Sequence, residues 1–172
     1  DANGSFDFKI ALNKLDELSN FKIHSIEQPI EVKQWDKMAL ICKKSPIDIA
    51  LDEELIGIND IEKQKQLLSE VKPSYIILKP SLIGGLKKSD IWIELANSQG
   101  IKWWSTSALE SNIGLNSISQ WLLNKNTSLR QGLGTGMLYS NNISSPHYIE
   151  NGYLKYNPKL QWETKLFDKY IN

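Results

Sequence analysis

The sequence contains a single cysteine, Cys42, in 172 residues. No disulfide can form within the chain, which sets aside the small disulfide-framed secreted scaffolds. Charge of one sign is also lacking, since 20 Lys and Arg balance 20 Asp and Glu. A chain without net positive charge has no general electrostatic grip on nucleic acid or an anionic membrane surface. No uninterrupted apolar run reaches the ~20 residues of a membrane span, and no secretory signal opens the chain. Histidine occurs only as His24 and His147, without metal-ligand spacing, and both read as structural. No repeat, low-complexity tract or linker stands out. A cytoplasmic enzyme or binding protein is therefore expected, with neither nucleic acid nor membrane as partner.

What is present reads as strand alternating with helix. Phe8, Ala11, Leu12 and Leu15 form an i, i+3, i+4, i+7 stripe. A strand over about 21–28 follows, closed by Pro29. Trp35, Met38, Ala39 and Cys42 mark the next helix, with Cys42 as a buried structural thiol on its apolar stripe. Residues 47–55 read as a strand. Asn59, with Glu62 three residues on, reads as a capping box that opens a helix to about Val71. A β-rich strand over 75–79 stops at Pro80. A helix from about Ser89 ends at Gly100, a C′ glycine. Then come a strand over 101–105, a helix carrying Leu115, Ile118 and Leu122, and a last strand with its loop over 132–138. Asn151-Gly152 between alternating apolar residues predicts a β-hairpin with a type I′ turn.

This alternation predicts a parallel sheet built from βαβ units. Asp1, Glu27, Asp52 and Lys79 fall at predicted strand ends, separated by 26, 25 and 27 residues. That even step suits successive units of one (β/α)8 barrel, whose active site gathers at the C-terminal strand ends. A whole barrel takes ~200 residues or more. The chain is thus expected to supply about strands 3 to 8, within residues 1–140, with 141–172 a hairpin and tail packed on the barrel or on a lid domain. It opens at Asp1, without an initiator Met, on the turn-like Asp1-Ala2-Asn3-Gly4, which points to a longer parent.

Asp1, Glu27 and Asp52 form the central constellation. Carboxylates at strand ends are often only solvated or cap a following helix. Three of them in step with the βα period suit Mg²⁺, a hard cation that prefers oxygen ligands. Parity places Asp52 with Asp48 and Ala50, opposite Ile47, Ile49 and Leu51, so Asp52 can face the barrel mouth. Lys79 ends an apolar strand, where it either stabilises an anion or transfers a proton, or snorkels to water. The hydroxyls of Ser105, Thr106 and Ser107 either bind a substrate carboxylate or cap the next helix. The run Gly132-Leu133-Gly134-Thr135-Gly136 is neither a dinucleotide fingerprint nor a Walker loop. It either brings backbone N–H groups to a ligand or is a plain turn.

The ordered motifs Asp1-Ala2-Asn3-Gly4, Ile26-Glu27-Gln28-Pro29, Ala50-Leu51-Asp52-Glu53 and Leu78-Lys79-Pro80 resemble the enolase superfamily. Three further motifs resemble its o-succinylbenzoate synthase branch: Ser81-Leu82-Ile83-Gly84-Gly85, Thr106-Ser107-Ala108-Leu109-Glu110-Ser111 and Gly132-Leu133-Gly134-Thr135. The resemblance runs from Asp1 to about Leu138. It implies that Asp1, Glu27 and Asp52 bind one Mg²⁺, that Asn3 steadies those ligands, and that Lys79 supports an anionic enediolate. Thr106, Ser107 and Gly132 would contact a small-molecule carboxylate substrate. The implied reaction is the dehydration of 2-succinyl-6-hydroxy-2,4-cyclohexadiene-1-carboxylate to o-succinylbenzoate, toward menaquinone. The branch takes its base from a Lys-x-Lys strand preceding the first metal ligand, and closes the site with a lid from its N-terminal segment. Both are expected upstream in the parent, and this stretch alone is expected to be inactive. An N-acylamino acid racemase or dipeptide epimerase on the same scaffold, and a non-catalytic metal- or ligand-binding barrel domain, are the alternatives.

Overall fold

A computed structural model describes residues 1–163 and 165. The chain gathers into two compact units, Asp1–Trp104 and Ser105–Asn172. Helix α1 (Phe8–Ser19) is followed by β1 (Ser25–Glu27), α2 (Trp35–Lys44), β2 (Asp48–Leu51), α3 (Ile61–Val71), β3 (Tyr75–Leu78), α4 (Leu86–Ser98) and β4 (Lys102–Ser105). After these come α5 (Asn112–Leu123), β5 (His147–Glu150) and β6 (Tyr153–Tyr156).

The sheet order β1-β2-β3-β4 follows the sequence order. The β1–β2 pair is parallel, with Ile26 opposite Ile49, and β2–β3 is parallel with Leu51 opposite Ile76. A run of neighbouring strands with a helix in every connection is the βα repeat of a barrel wall. The whole of β3 is buried, as expected of a parallel strand covered on both faces. Its helical cover comes from the predicted stripes: Ala11 and Leu15 of α1, Met38 and Ile41 of α2, Leu67, Leu68 and Val71 of α3, and Trp92 and Ala96 of α4 are all buried.

Helix ends follow local chemistry. Asp7 caps α1 by accepting from the Lys9 N–H at 2.8 Å. Gly100 closes α4 as predicted: its N–H reaches Asn97 O at 3.2 Å, while the Ile101 N–H reaches Ala96 O at 2.9 Å. These two bonds are a Schellman motif.

Several sequence expectations need correction. The strand foreseen over 21–28 shrinks to three residues, because Lys22 turns the chain at φ 52° and Phe21 is 74% exposed. The strand foreseen over 47–55 ends at Leu51, because Asp52 leaves the extended region and 53–55 form a 3-10 turn. The cap of α3 is Asp60, whose Oδ1 accepts from the Lys63 N–H at 2.9 Å, rather than Asn59. Helix α4 starts at Leu86, before Ser89. Cys42 is half-buried rather than buried.

In the second unit, α5 buries Leu115, Ile118 and Leu122. The strand foreseen over 132–138 is reduced to one parallel bridge between Thr106 and Gly132, followed by a 3-10 turn over Gly134–Met137. The predicted hairpin forms from β5 and β6, with Asn151 and Gly152 at φ 53° and 78°, the signature of a type I′ turn. Of the stretch 141–172, residues 164 and 166–172 lie outside the described residues.

Candidate active site

In the first unit, parallel pairing brings three of the candidate side chains to one end of the sheet. Glu27 is the last residue of β1, Asp52 directly follows β2, and Lys79 directly follows β3. Asp52 is 1% exposed, Lys79 20% and Glu27 22%. Lys79 Nζ donates to Asp52 Oδ2 and lies 3.7 Å from Glu27 Oε1. Two carboxylates thus converge on one positive charge in a half-buried setting, where a charge needs a partner.

The electrostatics follow from this crowding. Burial pushes the Glu27 carboxyl up to about 7, reinforced by a hydrogen bond and like charge from Asp52 and opposed by Lys79. Burial works against the Lys79 ammonium. The Asp52 hydrogen bond and charge, with Glu27 and Glu53, nevertheless lift its pKa above the ordinary lysine value.

The first residues of the chain run beside the end of β1. The Ala2 N–H donates to Glu27 O at 3.0 Å and the Gly4 N–H to Gln28 O at 2.6 Å. Gly4 sits at φ 70°, and a Cβ there would meet Glu31 Cα at 3.1 Å, so both conformation and space call for glycine. Asp1 is exposed, and its Oδ1 accepts from the Asn3 N–H at 2.8 Å.

Beneath the pair of carboxylates lies a network that sequence reasoning missed. Gln28 is fully buried at φ 39°, a left-handed conformation that costs a non-glycine residue about 1–2 kcal/mol. Its Oε1 accepts from the backbone N–H groups of Asp52 and Glu54, each at 3.3 Å. Its Nε2 donates to Ile30 O at 3.1 Å and to Glu54 Oε2 at 3.3 Å. Glu54, also buried, accepts at Oε1 from the Lys33 N–H at 2.7 Å and from Trp35 Nε1 at 2.9 Å. A buried carboxylate held by three donors is a satisfied structural group. The position of Gln28 between Glu27 and Pro29 was the available signal, but its partners come from residues far along the chain.

Glu53 lies between these two acids in sequence and takes a third setting. Its Oε2 is buried without a hydrogen-bond partner. It borders a cleft of about 940 Å³, with Val32, Trp35 and Lys63 among the other walls. None of Glu27, Asp52 and Lys79 lines that cleft. Of Asp52 and Glu53, it is Asp52, set by parity opposite Leu51, that meets Lys79.

In the second unit, the Thr106 hydroxyl donates to Gly132 O at 2.9 Å. The Gly132 N–H donates to Ser105 O at 2.8 Å, and the Ser107 N–H to Gly132 O at 3.2 Å. The hydroxyls of Ser107 and Thr135 share a hydrogen bond. Helix α5 has Ser111 at its N-cap position, so none of the three earlier hydroxyls caps it. His24 packs against Tyr75 and Trp104, while His147 packs against Tyr156 and Trp162.

The donor chemistry here fits a hard cation: Glu27 and Asp52 already converge on the charge of Lys79. The backbone bond from Ala2 to Glu27 keeps Asp1 at the same strand end. Among the described residues, however, no three His, Cys, Asp or Glu side chains are grouped closely enough to hold a metal ion. No helix among the described residues is long and apolar enough to cross a membrane.

A sheet with acidic residues and a lysine at its strand ends is what enolase-type barrels present, and the family comparison agrees. The model for enolase C-terminal domain-like proteins matches residues 1–159, and the chain belongs to this family. Enzymes of this superfamily generally use Mg²⁺.

Within it, the chain is 51% identical over 154 residues to the o-succinylbenzoate synthase of Desulfotalea psychrophila, covering 90% of this chain and 42% of that protein. The crystal structure of MenC from the same organism superposes with a TM-score of 0.86, over 89% of this chain and 43% of that one. An L-amino acid-D/L-Glu epimerase of Sulfurimonas denitrificans is 28% identical over 116 residues, 67% of this chain and 33% of that protein. Muconate lactonizing enzyme from Pseudomonas putida shares the fold at a TM-score of 0.83 and 21% identity, over 98% of this chain and 48% of that one. The chain therefore spans less than half the length of these relatives, and its sheet is part of an enolase-type barrel.

Proposed function

We propose that the protein carrying this chain is a cytoplasmic o-succinylbenzoate synthase, which removes water from a succinyl-hydroxycyclohexadiene carboxylate to form the aromatic product in menaquinone synthesis. The observation that carries this reading is the 51% identity to a synthase of that name over 90% of the chain. The epimerase relative matches at 28% over 67% of the chain, which supports the racemase or epimerase alternative less well. A non-catalytic barrel domain gains support from neither relative.

In this reading Asp1, Glu27 and Asp52 hold Mg²⁺, with Asn3 beside them. Bound there, Mg²⁺ supplies Lewis-acid charge for negative charge developing on a substrate carboxylate. Lys79, an ammonium kept protonated by its acidic neighbours, is placed to stabilise the enediolate that forms when the α-proton leaves. Thr106, Ser107 and Gly132 contact the substrate through hydroxyl and backbone groups. The proton-abstracting base is a lysine of a Lys-x-Lys strand in sequence beyond this chain, and a lid domain there excludes water. Loss of the ring hydroxyl as water then completes the aromatic ring. In sequence terms, residues 1–140 belong to the barrel and 141–172 to an appended hairpin and tail.

The complete protein, assayed with Mg²⁺ and then with EDTA, tests the reading. Metal-dependent loss of the cyclohexadiene absorbance with gain of the aromatic product is expected. A folded protein that binds Mg²⁺ and this substrate without releasing water would sink it.

A further inference from the structure

Gln28 is in contact with every segment that bears a carboxylate of the proposed site. Its carbonyl accepts from the Gly4 N–H at 2.6 Å, on the segment that begins at Asp1. Its own N–H donates to Ala50 O at 2.9 Å, two residues before Asp52. Its Oε1 accepts from the Asp52 N–H itself at 3.3 Å. Glu27 is its covalent neighbour. The side chain meeting these partners is fully buried, so no water can replace a bond that is lost.

We propose that Gln28 is a positioning residue for the carboxylates of Asp1, Glu27 and Asp52, with Glu54 as its anchor. This rests on the Mg²⁺ reading given above. The chemistry explains why an amide stands here. One end must accept from two backbone N–H groups, and the other must donate to a carbonyl and a carboxylate. Glutamate offers no donor, methionine offers neither function, and asparagine is one methylene short. Glu54 is fixed in turn by the Lys33 N–H and Trp35 Nε1, so the amide is tied to a rigid point. The left-handed backbone at Gln28 aims its carbonyl at the Gly4 N–H while its side chain serves the end of β2.

The test uses the complete protein and calorimetric titration with Mg²⁺ alone, without substrate, beside metal-free melting curves. Gln28→Glu sets a carboxylate against Glu54 and is expected to weaken Mg²⁺ binding about 10- to 100-fold, the usual loss for an outer-shell partner. Combining it with Glu54→Gln reverses the polarity of the contact and forfeits only the bond to Ile30 O. The double exchange is therefore expected to recover most of the affinity. Should Gln28→Glu alone fail to fold, Glu54→Gln alone sets two amide donors face to face, and its comparison with the double exchange decides. A lowered melting temperature with unchanged Mg²⁺ affinity would overturn the proposal, as would a double exchange no better than the singles. Wild-type protein that binds no Mg²⁺ would instead overturn the metal reading itself.

Discussion

Lys79 and Asp52, 27 residues apart in sequence, are joined by a hydrogen bond between ammonium and carboxylate at the mouth of the sheet. The acid is almost wholly buried and the lysine half-buried, so each is the other's principal counter-charge. Lys79→Met should leave two carboxylates facing each other without a cation. Loss of a partner from a buried polar group costs about 1–3 kcal/mol, more for charged groups. Added Mg²⁺ should then raise the melting temperature of the variant more than that of the wild type, since a cation is returned to the same carboxylates. Turnover in the complete protein should fall about 100- to 1000-fold, the range for removing one electrostatic stabiliser of a developing anion.

Gly4 offers a test of the start of the chain. Its φ of 70° and the 3.1 Å from an added Cβ to Glu31 Cα both oppose a side chain. Gly4→Ala is expected to destabilise by more than about 1 kcal/mol, read as a lower urea midpoint. It should also displace Asp1, so Mg²⁺ affinity should fall with it. Stability falling with affinity intact would show that Asp1 contributes nothing to the cation.

The cap of α3 separates two adjacent residues. Asp60→Ala removes the bond to the Lys63 N–H and should cost about 1 kcal/mol. Asn59→Ala should stay within about 0.5 kcal/mol of wild type. Equal losses at both positions, measured by denaturant unfolding, would contradict the assigned cap.

Burial pushes the Cys42 thiol up to about 12. At pH 8 the native protein should therefore react with iodoacetamide far more slowly than a free thiol, and unfolding in urea should restore the rate. Rapid labelling of native protein would show that the thiol is more open than its surroundings indicate.

The barrel wall was legible because it rests on periodicity. Stripes such as Phe8–Leu15 and the apolar run Tyr75–Leu78 hold whatever their partners are, and Gly100 and Asn151-Gly152 mark an end and a turn by backbone conformation alone. Strand limits were not legible, because Lys22 and Asp52 break the extended chain through conformations no pattern announces. The same division runs through the site. Glu27, Asp52 and Lys79 were found from their even spacing, and the fold brings them together. Gln28 and Glu54 escaped notice because a buried polar group is defined by partners from elsewhere in the chain. For Glu54 those partners are Gln28, Lys33 and Trp35.

The 3-10 turn after β2 gives three successive acids three separate employments. Asp52 meets the lysine, Glu53 keeps Oε2 buried without a hydrogen-bond partner, and Glu54, which borders the same cleft as Glu53, is bound by backbone and indole N–H groups. By charge and size they are near-equivalents, yet none can deputise for another. Deleting Asp52 would keep the acidic character of the segment and hand each remaining acid its neighbour's place. Loop length is therefore as strict a specification here as residue type, and an engineered insertion would be tolerated better after Leu55 than before it.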